Sequence, residues 1–193
     1  MTTTKTIFLL SFFFILTTSC DETKAPATEV QEETTSKTTA VATPIEEEES
    51  LIIFQNSFLN ISPGSQIAEH ETRIEKGLLQ TGDGDFEIYN ILDAQKTVVA
   101  YFLADPVDTE LVGDIYVTSP LAYTEDDIRI GNTFGILVTK YETLEVHGSE
   151  IESQTFANLG SLSFKIDEAH TMYDLEISAV SKEAKIIEIV IKR

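Results

Sequence analysis

The chain has 193 residues, with 13 Lys or Arg against 33 Asp or Glu and a formal net charge of −20 at neutral pH. That balance excludes the basic surface that nucleic-acid binding needs, and it opposes docking on anionic headgroups. A single cysteine excludes an intramolecular disulfide, so any folded part must rely on its own core.

Lys5 puts a positive charge ahead of IFLLSFFFIL, an apolar run over residues 7–16. As a helix this run would be about 15 Å long, roughly half of a ~30 Å hydrocarbon core. It is too short to span a bilayer and has the length of the h-region of a secretory signal. Thr17, Thr18 and Ser19 then lead to Cys20. This junction resembles the lipobox of bacterial lipoproteins, although Leu16 stands four residues before Cys20 where the usual pattern has three. The resemblance implies a lipoprotein signal over residues 1–19, cleavage before Cys20, and acylation of its thiol and of the new amino terminus. Each buried acyl methylene contributes about 0.8 kcal/mol, and two or more chains give stable anchoring. The competing reading is an ordinary secretory signal with an incidental cysteine. Asp21 and Glu22 fit either an inner-membrane retention mark or a surface-export mark. The expected location is the cell envelope, lipid-anchored, at the outer rather than the inner membrane.

Residues 20–50 read as the lipidated cysteine and an acidic tether. From residue 21 the segment is rich in Thr, Glu, Ala and Pro, with two lysines against nine acids and no apolar period. Such a composition cannot bury enough apolar surface to offset its ordering entropy. The alternative is a short helix through Glu46–Glu49 leading into the domain. Residues 51–193 then form a single globular domain, with ten Lys and Arg against 24 Asp and Glu, a net charge of −14. This charge leaves room for cationic partners or divalent ions.

Within that domain strand signals dominate. Residues 51–54 with 58–61 predict an opening strand. Residues 73–79 and 86–92 flank QTGDGD and predict a hairpin, because Gly and Asp supply tight-turn conformations. TVVAYFL at 97–103 predicts a central strand buried on both faces, and DIYVT at 114–118 another, stopped by Pro120. In SLSFKI, Leu162, Phe164 and Ile166 share a face. In the closing strand over 185–192, Ile187, Ile189 and Ile191 are expected on one face, with Glu188 and Lys192 on the other. One segment has a helical period: Phe134, Leu137, Val138 and Tyr141 fall at i, i+3, i+4 and i+7, with Asn132 or Thr133 as cap. A second helix or helical turn is expected near Ser65, with Ile67, Glu71 and Ile74 on one side. The fold class is therefore α+β, mainly antiparallel sheet with one or two helices packed on one face.

Residues 61–67 (ISPGSQI) and 128–134 (IRIGNTF) share the pattern I-x-x-G-[S/N]-x-apolar. It suits a strand–turn–helix unit used twice, with glycine at the bend and a polar cap after it. DDIRIGNTFGILVTKY, the acidic GSEIE, LSFKID and the closing KIIEIVIK together resemble small envelope lipoproteins of unknown function, the stress-regulated lipoproteins of enteric bacteria among them. More loosely they resemble tandem β-lactamase-inhibitor-like modules and the small lipoproteins that assist outer-membrane barrel assembly. The resemblance covers about residues 113–193 and implies interaction or scaffolding rather than catalysis. Pro63 and the polar residues that follow it depart from the pattern in the first copy.

Chemistry-bearing motifs are sparse. His70, His147 and His170 lack the local spacing of a helical zinc site. No G-x-S-x-G elbow or phosphate-binding loop occurs. Asp83, Asp85 and Glu87 alternate as at the start of a calcium loop but lack its closing glutamate, so a plain hairpin turn is expected. Glu125, Asp126 and Asp127 read as a solvated turn. Tyr89, Tyr101, Phe102, Tyr116, Tyr123 and Tyr141 are candidates for part of a recognition face. No catalytic, metal or cofactor residue is assigned, and the expected site residue is the lipidation site Cys20. The expected function is a lipid-anchored, non-catalytic binding domain, with the membrane and an envelope protein as partners and no nucleic acid. The alternatives are a carboxylate-dependent hydrolase of envelope glycans or peptides, and an inhibitor-like domain. The tether reading predicts that intact-mass analysis of the native protein shows acyl mass on Cys20. A mature protein released without added acyl mass contradicts it.

Overall fold

The computed structural model describes residues 49–193. The expectations for the signal, Cys20 and residues 21–48 lie outside the described residues.

Alternation along the strands gives the main sheet an inside. Eight strands pair in the order β3 (Ile74–Thr81), β4 (Gly84–Leu92), β5 (Val98–Ala104), β6 (Val112–Val117), β11 (Ile186–Ile191), β10 (Leu162–Ile166), β9 (Thr155–Leu159) and β8 (Glu145–Gly148), every pair antiparallel. One cross-strand row reads Ile74, Ile91, Ala100, Val117, Ile189, Phe164, Ala157, Val146 across all eight. The six central members have 0% exposure. Burying each of the larger side chains contributes about 1.5–3 kcal/mol relative to exposure. A smaller sheet joins β1 (Ile52–Phe54) to β2 (Ser57–Phe58) and, in parallel, to β7 (Tyr123–Thr124). Its Ile53 and Phe58 enter the same core, as do Phe134 and Leu137 of α1 (Phe134–Lys140). The domain is thus sheet-dominated, with one α-helix and two 3-10 turns, at Ile67–His70 and Ile177–Ala179. No described helix is long and apolar enough to cross a membrane.

The I-x-x-G echo is a repeated structural unit. The amide of Gly64 donates to Val112, that of Val112 to Ser65, and that of Ile67 to Glu110. In the second copy Gly131 donates to Ile186, Ile186 to Asn132, and Phe134 to Ala184. Isolated bridges Gln66–Leu111 and Thr133–Lys185 match as well. Each unit runs turn, helical piece and a four-stranded meander, so β3–β6 corresponds to β8–β11. The halves meet at β6 and β11 through Ile115–Ile191, Tyr116–Val190 and Val117–Ile189, a register with a pseudo-twofold axis at Tyr116–Val190. Even the bulges correspond: β5 against β6 and β10 against β11 both slip at the same step.

Several expectations change. The second helix is only the Ile67–His70 turn, because the segment is polar apart from Ile67 and Ala68 and Ile74 already opens β3. Thr133 stands at the N-cap of α1 without a side-chain cap bond, and Asn132 instead accepts from the Arg129 amide. Tyr141 is extended and lies just past the helix. Ile187 is 42% exposed rather than in phase with Ile189 and Ile191. The bulge accounts for this: Phe164 faces Ile189 and Ile166 faces Ile186, so Ile186 takes the inward place. β5 is central, but only one face is sealed; Ala100 and Phe102 are buried while Tyr101 and Leu103 are half-exposed. Strands β8 and β9, unmarked in the sequence, complete the second meander.

Gly64 (φ +84°) and Gly131 (φ +90°) hold equivalent left-handed turns with no close neighbour that would block a methyl group. Gly64→Ala and Gly131→Ala should therefore each lower unfolding stability in urea by about 1–2 kcal/mol. Unequal costs would contradict the equivalence.

Candidate functional site

The face opposite the apolar row carries a different sequence of side chains. Across the eight strands it reads Glu75, Asn90, Tyr101, Tyr116, Val190, Ser163, Asn158, Glu145. About the pseudo-twofold axis the outer pairs are Glu75 with Glu145 and Asn90 with Asn158. The halves differ at the centre, where one contributes two tyrosines and the other Val190 and Ser163. Thr81 at the tip of the β3–β4 hairpin and His147 on β8 line the same depression, so the sheet curls around this face. The depression has a volume of about 410 Å³.

Tyr101 and Tyr116 are directly opposite on β5 and β6, their rings stacked at 4.9 Å and 7°. Such cross-strand aromatic pairs contribute roughly 0.2–1 kcal/mol to pairing. Burial pushes both phenols up, and nearby carboxylates add to it: Glu188 acts on Tyr101, and Asp114, Glu188 and Glu152 on Tyr116. Both therefore stay neutral across the physiological range. Glu188 projects from β11 opposite Lys165 of β10. Burial raises its carboxyl above the usual range; the Lys165 ammonium opposes this and the Glu152 carboxylate reinforces it. Ser163 is 1% exposed and lines the depression, and its Oγ has no hydrogen-bond partner among the described residues.

A second cluster borders the first. His147 stacks on Phe156 at 5.4 Å and lies 5.3 Å from the Tyr173 ring. Lys192 Nζ donates to Asn158 Oδ1 at 3.2 Å, and Asn158 Nδ2 lies 3.0 Å from His147 Nδ1. The asparagine amide then donates to Nδ1, which fixes the proton of a neutral imidazole on Nε2. Burial lowers the His147 pKa, the Lys192 charge lowers it further, and Glu145 opposes them.

The other sequence candidates have structural places. The three histidines do not converge, and among the described residues no group of three or more His, Cys, Asp and Glu is placed to hold a metal ion. His70 Nε2 lies 2.8 Å from Ser65 Oγ, whose own proton goes to the Ser62 carbonyl. His170 Nδ1 is 3.0 Å from Thr155 Oγ1, and Glu168 is 3.6 Å from Nε2. That trio is not a nucleophilic arrangement, since Thr155 is fully buried and donates to the Glu168 carbonyl. Glu87 pairs with Lys76 at 2.8 Å in the hairpin, so it stands outside any calcium loop. Asp127 pairs with Arg129, the Asp126 carboxylate accepts from Tyr141 and its carbonyl from Lys140, so the acidic turn ties itself to the end of α1. Of the six aromatic candidates only Tyr101 and Tyr116 meet on the open face. Phe102 is core and stacks with Tyr89, Tyr123 lies under Arg129, and Tyr141 packs by the turn. Glu188, Lys165, Ser163 and Phe156 were not foreseen as site residues. Alternation placed Glu188 outward, but only cross-strand pairing shows what it meets.

Because the fold raises the Glu188 pKa above its unfolded value, the ionised carboxylate destabilises the native state. The folded state gains on the unfolded one as pH falls through the raised pKa toward the ordinary carboxylate value of about 4.3. Glu188→Gln should thus raise Tm by about 1–3 °C at pH 7 and leave it unchanged below pH ~4. A lowered Tm at pH 7 would show that the carboxylate is instead held by the fold.

No known protein family matches the chain, and no curated protein is detectably similar to it in sequence. Among solved structures, the crystal structure of the uncharacterized protein yfeY from Escherichia coli is similar at 13% identity and a TM-score of 0.49, over 73% of this chain and 99% of that one.

Proposed function

We propose that the chain is a lipid-anchored envelope protein whose domain is a non-catalytic binding module, engaging a protein partner on the curved polar–aromatic face of its main sheet. The observation that carries this reading is the central pair Tyr101–Tyr116, half-buried and stacked in the middle of the depression on this face. Tyrosine offers large, rigid contact area with a polar tip, and the centres of protein interfaces are enriched in it. In this reading α1, the Ile67–His70 turn and the small sheet pack on the opposite side, where they seal the core and leave the face to the partner. The signal-like residues 7–16 and Cys20 support the anchor, and the acidic tether supports reach from the membrane surface. The looser likeness to inhibitor modules is compatible with the same face meeting the cleft of an envelope enzyme.

One observation favours a second reading. A carboxyl with a raised pKa beside a second carboxylate, as in Glu188 near Glu152, is the arrangement an acid–base hydrolase uses.

A photo-reactive residue at Tyr101 or Phe156 should give a discrete protein adduct in intact cells, whereas one at Leu121, which is 70% exposed and off this face, should give none. Equal labelling from all three positions contradicts the binding-face reading. A glycan- or peptide-cleaving activity that Glu188→Gln abolishes would replace it with the hydrolase.

A further inference from the structure

The centre of the face carries three carboxylates, Asp114, Glu152 and Glu188, against two ammonium groups, Lys165 and Lys192. Glu188 has neither a salt bridge nor a hydrogen bond to the described residues among the influences on it. The Tyr101 and Tyr116 hydroxyls likewise lack a hydrogen-bonding neighbour that acts on them. Ser163 Oγ is buried and unpartnered, which costs roughly 1–3 kcal/mol unless a ligand or water satisfies it. The charged groups acting on Tyr116 are all acidic: Asp114, Glu188 and Glu152. Of the two cations lining the depression, Lys192 donates to Asn158 and keeps its charge beside His147, and Lys165 stands opposite Glu188.

We infer that this centre receives an arginine side chain presented by the protein partner. The guanidinium is planar, carries five donors in a fixed fork, and combines hydrogen bonding with stacking on aromatic rings. Glu188 takes the charge, the phenol and Ser163 oxygens accept the remaining N–H groups, and the Tyr101–Tyr116 pair supplies the π surface. The domain charge of −14 attracts a basic partner, and the three carboxylates lining the depression give it a place to dock. Lys165 competes for Glu188 and is displaced toward solvent when the arginine enters. This inference rests on the binding-face reading and names what the face recognises.

The test is a titration of the full-length chain in neutral detergent, followed by amide NMR shifts. The probes are the acetylated, amidated peptides Gly-Gly-Arg-Gly-Gly and its citrulline and glutamate counterparts. Arginine should give saturable shifts confined to Tyr101, Tyr116, Ser163, Glu188 and their strand neighbours. Citrulline, which keeps the shape and loses the charge, should bind about tenfold more weakly or not at all, and glutamate should not bind. Glu188→Gln should weaken arginine binding about tenfold. Lys165→Met should strengthen it severalfold, a gain that misfolding cannot mimic. Shifts that map to acids elsewhere, or no saturation, overturn the inference. Equal binding of arginine and citrulline at the face overturns it too while leaving the binding-face reading in place; that reading fails separately, through the crosslinking pattern.

Discussion

Everything in this domain depends on one short pairing, that of β6 with β11. Without it there are two four-stranded meanders, each with an apolar side only half as wide as its partner requires. With it, Ile115–Ile191 and Val117–Ile189 close the middle of the apolar row, and the buried residues of both halves become one cluster. The pairing is self-consistent because its register is symmetric. Each half presents the same turn to the same end of its last strand: Gly64 and Ser65 to Val112, Gly131 and Asn132 to Ile186. A slip by one residue would turn one strand over relative to the other and move its apolar residues to the open side.

The same pairing creates the candidate site. Tyr116 sits on the axis facing Val190, with Tyr101 on one side and Ser163 on the other. Neither half contains the site alone, since the stacked tyrosines come from the first and Glu188, Lys165 and Ser163 from the second. Symmetry in the scaffold and asymmetry at its centre are what two copies allow: the shared Asn and Glu positions toward the edges keep the halves alike, while the central positions are free to differ. A carboxylate kept at an energetic cost, a buried hydroxyl without a partner and an unsealed aromatic pair all lie within this one region. Local departures from ideal folding economy gather where a protein works.

Much of the scaffold was legible in the sequence because the relevant signals are local. The QTGDGD hairpin, the Leu162–Phe164–Ile166 alternation and the Phe134–Leu137 stripe each rest on a few neighbouring residues. The I-x-x-G echo also pointed to repetition, and its hydrogen bonds bear that out. What could not be read is non-local. Strands β8 and β9 carry small or polar residues such as His147, Asn158 and Ala157, and become strands by pairing, β9 with β10 and β8 with β9. The exposure of Ile187 follows from a bulge that only the partner strand reveals. The site was illegible for the same reason. Tyr101 and Tyr116 are separated by a bulged hairpin, and Glu188 and Lys165 are brought together only by register, so none stands out as a motif along the chain.

The claim at the root of the account is that the two halves join at β6 and β11 in this register and so assemble one face. Nuclear Overhauser contacts in the full-length protein test it directly. The account predicts contacts from the Tyr116 ring to the Val190 methyls and to the Tyr101 ring, and from Val190 to Ser163. Finding the contacts within each meander but none between Tyr116 and Val190 would separate the halves and remove the site with them.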